Sequence, residues 1–198
     1  MKEAIDTFIH SLTSLCPKLT ESELEYIRSG ISITTLQSKE YYVHANEVQK
    51  HIGFVSQGLI RCYYLDKYGK DITVRFIKEQ HYATHYSAFI SKEPSSYYFQ
   101  SIEPSILVNL TYEHIYNGYE LFPQLESYGR LIAEEVLREQ QRRIESFLFQ
   151  TAEERYTMFM KESPDVYSRV SLTQLSSFLG IERQSLTRIR KKLASHSL

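Results

Sequence analysis

The sequence predicts an α+β protein in which N-terminal helices, a region of short strands, one long helix and a C-terminal helix pair follow one another. Three observations predict this order. Short β-rich runs with turn signals fill the stretch from Ile31 to about Leu110. A helical pattern then extends from Pro123 to about Gln150. Finally, two short helical patterns with a basic outer face occupy Arg169–Leu193.

Residues 1–30 are predicted to form two short helices. Apolar side chains recur at helical spacing between Ile5 and Leu12, Pro17 interrupts the pattern, and Gly30 ends the second helix. These helices precede the strands and are assigned to the same domain.

The region that follows carries alternating apolar and polar runs separated by turn residues. Gly69 lies in a hairpin loop where a positive φ is expected, Tyr82–Ile90 is predicted to be a short helix, and Ser91–Ser96 a loop. Strands are predicted at residues 31–36, 41–43, 52–55, 59–65, 72–77 and 105–110. Many short strands at regular spacing indicate a β-sandwich or barrel.

The long helical pattern is followed by a second helix start. At 1.5 Å per residue the helix from Pro123 spans roughly 40 Å, which is longer than a small domain needs. Such a helix usually packs against a second copy, so we expect a homodimer; the alternative is a long helix packed within its own chain. Thr151 and Glu154 then form a capping box for the next helix.

The C-terminal pattern reads as a helix-turn-helix. Ser171 and Gln174 have the spacing of a capping box, and Gly180 supplies the residue that can end a helix in the left-handed conformation. Leu186 and Ile189 point the second helix toward the core. The outer face of that helix is basic and rich in hydrogen-bonding groups, as a helix that reads the DNA major groove requires. The alternative is an ordinary helical hairpin with a solvated face.

The distribution of charge favours the DNA-binding interpretation. Residues 166–198 carry 6 Lys or Arg and 1 acid, net +5, whereas the rest of the chain holds 17 basic and 23 acidic side chains, net −6. A nearly neutral protein has therefore concentrated its positive charge on the segment that can enter a groove.

Composition and motifs exclude several classes. No apolar run approaches the roughly 18 residues of a membrane span, and the N-terminus lacks the pattern of a signal peptide, so we expect a cytoplasmic protein. No P-loop, nucleophile elbow or zinc-hydrolase spacing is present, which predicts a protein that is not an enzyme. No cysteine cluster suggests an iron–sulfur centre, and we expect no cofactor and no metal site.

The order of elements resembles the Crp/Fnr family of bacterial transcription regulators across nearly the whole chain. The residues that carry the resemblance are Phe54–Arg61, Gly69–Ile72, Thr151–Tyr156, Leu175–Ile181 and Ser185–Leu193. The resemblance implies a cyclic-nucleotide-binding-like β-roll of the jelly-roll type at residues 1–122, a dimerisation helix at 123–150, and a helix-turn-helix DNA-binding domain at 151–198. It also implies a homodimer on a palindromic operator, with RNA polymerase as a further candidate partner.

The family pattern places the DNA contacts on the second helix of the pair. Arg183 and Arg188 are suited to bidentate bonds with guanine, and Gln184 to a base edge. The other candidate contacts are polar or cationic groups suited to phosphates, namely Ser171, Ser185, Thr187, Arg190, Lys191 and Lys192. Glu182 stands where the family usually has Ser or Thr. Because few residues follow Leu193, the β-hairpin wing of the family is expected to be truncated.

The effector is expected to differ from cAMP. Members that bind cyclic nucleotides carry a Gly-Glu pair and an Arg-Ser/Thr pair in a cassette that corresponds to Lys78–Gln100. This chain has no glycine between Gly69 and Gly118 and no arginine between Arg75 and Arg130. A cyclic phosphate would lack a guanidinium partner there.

A candidate effector pocket is assigned to Arg75, His81, His85 and Tyr86. His81 and His85 are four residues apart, so the predicted helix would place them on one face. Isolated histidine pairs are more often surface residues than metal or haem ligands. The effector is therefore a small molecule of unknown identity, and an effector-free regulator is the alternative.

Two functions follow from these observations. The first is a sequence-specific, homodimeric transcription regulator controlled by an effector other than cAMP. The second is a β-roll protein that senses a small molecule or binds a protein partner and has no sequence-specific DNA binding. The basic second helix favours the first.

Overall fold

The strands of the described chain, residues 1–195, form two antiparallel four-stranded sheets in this computed structural model. The strands are β1 Ser32–Leu36, β2 Tyr41–Val43, β3 His51–Gln57, β4 Ile60–Leu65, β5 Asp71–Ile77, β6 Tyr82–Ala83, β7 Tyr98–Ser101 and β8 Ser105–Thr111. The first sheet has the order β1-β8-β3-β6 and the second the order β2-β7-β4-β5. Together they make a β-roll of the jelly-roll type, as the family resemblance implies.

The two sheets enclose an apolar core. Val55, Ile60 and Leu107 have no exposed surface, and Phe99 is 1% exposed. These side chains alternate with outward-facing residues along their strands, which is the period-two pattern that predicted the strands. The hairpin between β4 and β5 turns at Gly69, whose φ of 77° is the positive value expected there.

The helices lie before, between and after the strands. They are α1 Lys2–Leu15, α2 Glu21–Ser29, α3 Tyr86–Ser91, α4 Tyr112–Leu121, α5 Pro123–Phe149, α6 Ala152–Glu162, α7 Pro164–Tyr167, α8 Leu172–Leu179 and α9 Arg183–Ser195. Phe8 of α1 packs against Phe54 of β3 with ring centroids 5.2 Å apart, so the N-terminal helices cover the outer side of the first sheet. Across residues 1–195, no helix has the length and apolar character needed to cross a membrane.

The long helix α5 is confirmed over the predicted range. It begins with Pro123 in its first turn, where the missing amide donor costs nothing. Of its 27 residues Leu125 is buried. The next helix, α6, begins with the predicted capping box, since Thr151 and Glu154 exchange side-chain and backbone hydrogen bonds.

The structure corrects the prediction between β5 and β8. Instead of one helix over Tyr82–Ile90, Tyr82 pairs with Phe54 in β6, and α3 begins only at Tyr86. Gln80 has a φ of 65°, which turns the chain back on itself before β6. The prediction that His81 and His85 share one face of a helix is therefore wrong. His81 precedes a strand, and His85 is the N-cap residue of α3.

One further strand was not predicted. This strand, β7, is extended because it pairs with β2 and β4, and that pairing between distant segments leaves no signal in the local sequence. Helix α4 spans Tyr112–Leu121 and directly precedes α5. Helix α9 includes Ala194 and Ser195, and the expected truncated wing concerns residues 196–198, which lie outside the described residues.

Candidate nucleic-acid interface

Helices α8 and α9, with the turn that joins them, have the arrangement of a helix-turn-helix. The Ser171 hydroxyl accepts from the Gln174 amide at 3.2 Å, and the Gln174 side chain accepts from the Ser171 amide at 3.0 Å. Gly180 adopts φ 65° and ends α8. A side chain at this position would bring its Cβ to 2.5 Å from the Phe147 ring. A residue other than glycine at this turn would combine backbone strain with a steric clash.

The inner faces of α8 and α9 share one apolar core. Leu175 and Leu179 are 1% exposed and Leu186 is fully buried, against Phe159 of α6 and Val166 of α7. Burying each leucine stabilises the fold by about 1.5–3 kcal/mol. Because Leu186 faces inward, the opposite side of α9 is turned to solvent.

The solvent face of α9 is cationic. Arg183, Gln184, Thr187, Arg188 and Lys191 are all exposed, and their spacing places them on one side of the helix. Among residues 1–195 no ion pair engages either arginine or Lys191. Their donors are therefore available to an anionic partner.

The remaining predicted contact residues have other surroundings. Ser185 is half-buried, and the Thr187 hydroxyl donates to the carbonyl of Arg183 at 3.0 Å. Arg190 is half-buried, with its guanidinium 5.9 Å from the centroid of the Tyr167 ring. Lys192 is exposed and pairs with Glu153 of α6 at 2.7 Å.

Ser171 lies at the exposed N-terminus of α8, where its hydroxyl is already used as a cap. The residues that are both exposed and without an ion-pair partner among residues 1–195 are thus fewer than the predicted DNA-contact residues. The candidate surface is formed by Arg183, Gln184, Arg188 and Lys191.

Glu182 is the N-cap residue of α9, since its carbonyl accepts from the Leu186 amide at 3.0 Å. Its carboxylate lies 3.8 Å from the Lys70 ammonium in the β4–β5 hairpin, and both groups are exposed. Such a pair contributes little stability. It does place a cation from the β-roll beside the one acidic group at the start of α9.

The C-terminal helices are docked on the β-roll through Arg169. Its guanidinium lies 2.8 Å from Glu79 and 2.6 Å from Glu103, on two separate loops of the roll. Burial alone would raise the pKa of Glu79, but hydrogen bonds from Arg169 and from the Gly58 amide outweigh it and hold that pKa below its usual value. The charge of Arg169 is thus used within the protein rather than offered to a partner.

Further contacts fix the same docking. The Ser177 hydroxyl accepts from the Thr73 amide at 2.8 Å, and Lys78 pairs with Asp165 at 3.0 Å. Leu59 and Phe76 of the roll belong to the apolar cluster under α8 and α9. The helix pair is therefore packed on the sheet rather than tethered by a free linker.

Two arginines, one on α5 and one on α6, bind the C-terminus of α8. Arg143 of α5 donates to the carbonyl of Phe178, and Arg155 of α6 donates to the carbonyl of Leu179 at 3.0 Å. Both carbonyls lie at the C-terminus of α8, where positive charge is favourable. A change in the position of α5 would therefore be transmitted to α8.

The predicted effector residues do not form one pocket. Arg75 and His81 face Glu139 of α5, at 2.6 and 3.8 Å, and both line a groove of about 560 Å³. Tyr86 lines a separate, smaller cavity of about 90 Å³ with largely apolar walls. His85 contacts Ser95 near the start of α3, and burial lowers its pKa. Within residues 1–195, no group of three or more potential ligands could hold a metal ion.

Similarity to known proteins lies in the structure rather than in the sequence. No protein-family model and no curated protein matches the sequence. Solved structures do match. FixK2 from Bradyrhizobium japonicum has a TM-score of 0.75 at 14% identity, over 84% of this chain and 86% of that one. The c-di-GMP responsive global regulator CLP from Xanthomonas campestris has a TM-score of 0.71 at 14% identity, over 90% and 94%.

The chain has the Crp/Fnr regulator fold. A mutant of CooA from Carboxydothermus hydrogenoformans has the same arrangement, with a TM-score of 0.68 at 13% identity over 90% of this chain and 81% of that one. The order of helices, β-roll, long helix and helix pair that the resemblance implies is thereby confirmed. At these identities the Crp/Fnr likeness concerns the fold, and the roles of individual residues rest on the geometry described above.

Proposed function

We propose that this protein is a homodimeric transcription regulator of the Crp/Fnr type that reads a palindromic operator with α9. The observation that carries the proposal is the exposed, unpaired cationic face of Arg183, Arg188 and Lys191 beside Gln184. Arginine and glutamine on one exposed helical face suit guanine and adenine edges in a major groove. The fold neighbours are transcription regulators rather than enzymes, and no catalytic role is proposed.

Dimerisation is proposed to use the outer side of α5. Leu137, Ile144 and Leu148 are 67%, 59% and 70% exposed, and their spacing places them in one stripe along the helix. A stripe of large apolar side chains on a helix that buries little of its own surface favours a partner helix. In a symmetric dimer the same stripe serves both copies.

The proposed units are the β-roll at residues 1–122, the dimerisation helix at 123–150 and the DNA-binding unit at 151–198. The effector is proposed to be a small molecule other than cAMP, because the Lys78–Gln100 window offers no arginine to a cyclic phosphate. With DNA as its partner, the protein would act in the bacterial cytoplasm, and RNA polymerase is a candidate further partner.

Selection of bound fragments from sheared genomic DNA tests this proposal. We expect the recovered fragments to share an inverted repeat with half-sites about one helical turn apart, because a two-fold dimer presents two α9 helices. An unenriched population would contradict the proposal. It would favour the alternative of a β-roll protein that senses a small molecule or binds a protein partner.

A further inference from the structure

A groove of about 560 Å³ lies where the β-roll, α5 and the C-terminal helices meet. Its volume is within the range of small-molecule sites, about 300–1,000 Å³. Apolar side chains form much of its wall, namely Val74, Phe76, Phe149, Met158, Phe159 and Phe178. Charged side chains from all three parts of the chain complete it.

The charged lining is biased toward cations. Lys or Arg stands at positions 75, 78, 142, 143 and 155, against Glu at 139, 145 and 162. Arg75 pairs with Glu139, Lys78 with Asp165 and Arg142 with Glu135. These three cations are therefore already neutralised.

Arg143 and Arg155 are different. Among residues 1–195 neither has a carboxylate partner, and both donate hydrogen bonds to peptide carbonyls. Both guanidinium groups stand over the ring of Phe147, at 4.4 and 5.0 Å from its centroid. Burial, and then the charge of Arg155, lower the pKa of Arg143 to about 10. Two cations held together without a counter-ion at an apolar groove favour an anion.

We propose that this groove binds a small organic anion, with its carboxylate, sulfonate or phosphate group at Arg143 and Arg155 and its apolar body against Met158 and Phe149. A guanidinium carries five N–H donors, so each arginine can keep its carbonyl bond and still bind an anion. The apolar side chains of the wall offer van der Waals contacts to the rest of the ligand. This site is separate from the interior of the β-roll.

The position of the groove on α5 gives the ligand a route to the DNA-reading helices, an inference that rests on the proposed function. Glu139, Arg143 and Ser146 line the groove, whereas Leu137, Ile144 and Leu148 lie on the opposite side of the helix. The same two arginines hold the C-terminal carbonyls of α8. A bound anion would therefore contact α5 on the side opposite the proposed dimer stripe, next to the helix-turn-helix.

The test uses 1-anilinonaphthalene-8-sulfonate, a fluorescent aromatic anion, with the full chain. We expect one probe per chain, displaced by benzoate but not by neutral benzamide. Met158→Glu places a carboxylate in the groove, one helical turn from Arg155, where it can occupy the anion position. This substitution is expected to lower the affinity for the probe by about tenfold or more. Leu15→Glu is the matched control, because Leu15 is 44% exposed and Met158 is 41% exposed.

Equal probe affinity in the two variants would overturn the proposal, as would equal displacement by benzoate and benzamide or the absence of binding to the wild type. Thermal melting of each variant verifies that it is folded, and a half-exposed helical position tolerates glutamate. None of these measurements involves DNA. Failure of the anion site is therefore distinguishable from failure of the proposed transcription function, which the genomic selection measures.

Discussion

Replacing both Arg183 and Arg188 by alanine is expected to abolish the preference for operator DNA over scrambled DNA. The two guanidinium groups are exposed, lie on one face of α9 and have no ion-pair partner among residues 1–195. A bidentate contact to guanine contributes about 1–3 kcal/mol of discrimination, and a dimer makes each contact twice. The operator affinity should therefore fall by at least about 100-fold, toward that of scrambled duplex.

Fluorescence anisotropy with the selected operator and a scrambled duplex measures this effect. The matched control removes two cations far from α9, Lys18→Ala with Arg28→Ala, both of which are exposed. It should lower the affinities for both duplexes only slightly and equally. Retention of operator preference by the α9 variant would mean that base readout has been assigned to the wrong residues.

Replacing Ile144 and Leu148 by glutamate is expected to convert the proposed dimer to monomers. Both side chains are more than half exposed in the single chain and lie in the stripe assigned to the partner helix. Four glutamates facing one another across the two-fold axis would combine desolvation with like-charge repulsion. A monomer holds one half-site, so the operator affinity should fall by about 100-fold or more.

Sedimentation equilibrium gives the oligomeric state directly. Leu15→Glu with Leu65→Glu is the control, since these leucines are 44% and 49% exposed and lie outside α5. That variant should remain dimeric and bind the operator as the wild type does. A wild type that sediments as a monomer at micromolar concentration, or a dimeric α5 variant, would refute the assignment of the interface to α5.

Local signals made the helix-turn-helix predictable from the sequence. The Ser171 capping box, the left-handed Gly180 and the inward Leu186 each depend on residues within one or two turns of each other. The same holds for the start of α6 at Thr151 and for the hairpin turn at Gly69. Where the interacting residues lie close together in the sequence, the prediction is confirmed.

Pairings between distant segments account for the differences. Strand β6 exists because Tyr82 pairs with Phe54, and β7 because Phe99 pairs with Cys62 and Val43. In both segments the pairing partner lies far away in the sequence, so the local pattern does not reveal the strand. Because Tyr82 and Ala83 are extended in β6, no helix joins His81 to His85.

The candidate interface was predictable in outline but not in its use of charge. The sequence reveals that the C-terminal segment is basic, yet Arg169 is neutralised by Glu79 and Glu103, which lie 90 and 66 residues away along the chain. Lys192 is likewise paired with Glu153. The groove between β5 and α5 could not be foreseen for the same reason, because its walls come from separate parts of the fold.

The affinities of the wild-type protein for operator and scrambled duplexes across salt concentration test most directly whether α9 reads DNA. We predict operator binding about 10³-fold or more tighter than scrambled binding at physiological salt. The affinities should fall steeply as salt rises from about 50 to 200 mM, because bound phosphates release counterions. Equal affinities for the two duplexes, or affinities that do not change with salt, would contradict the account.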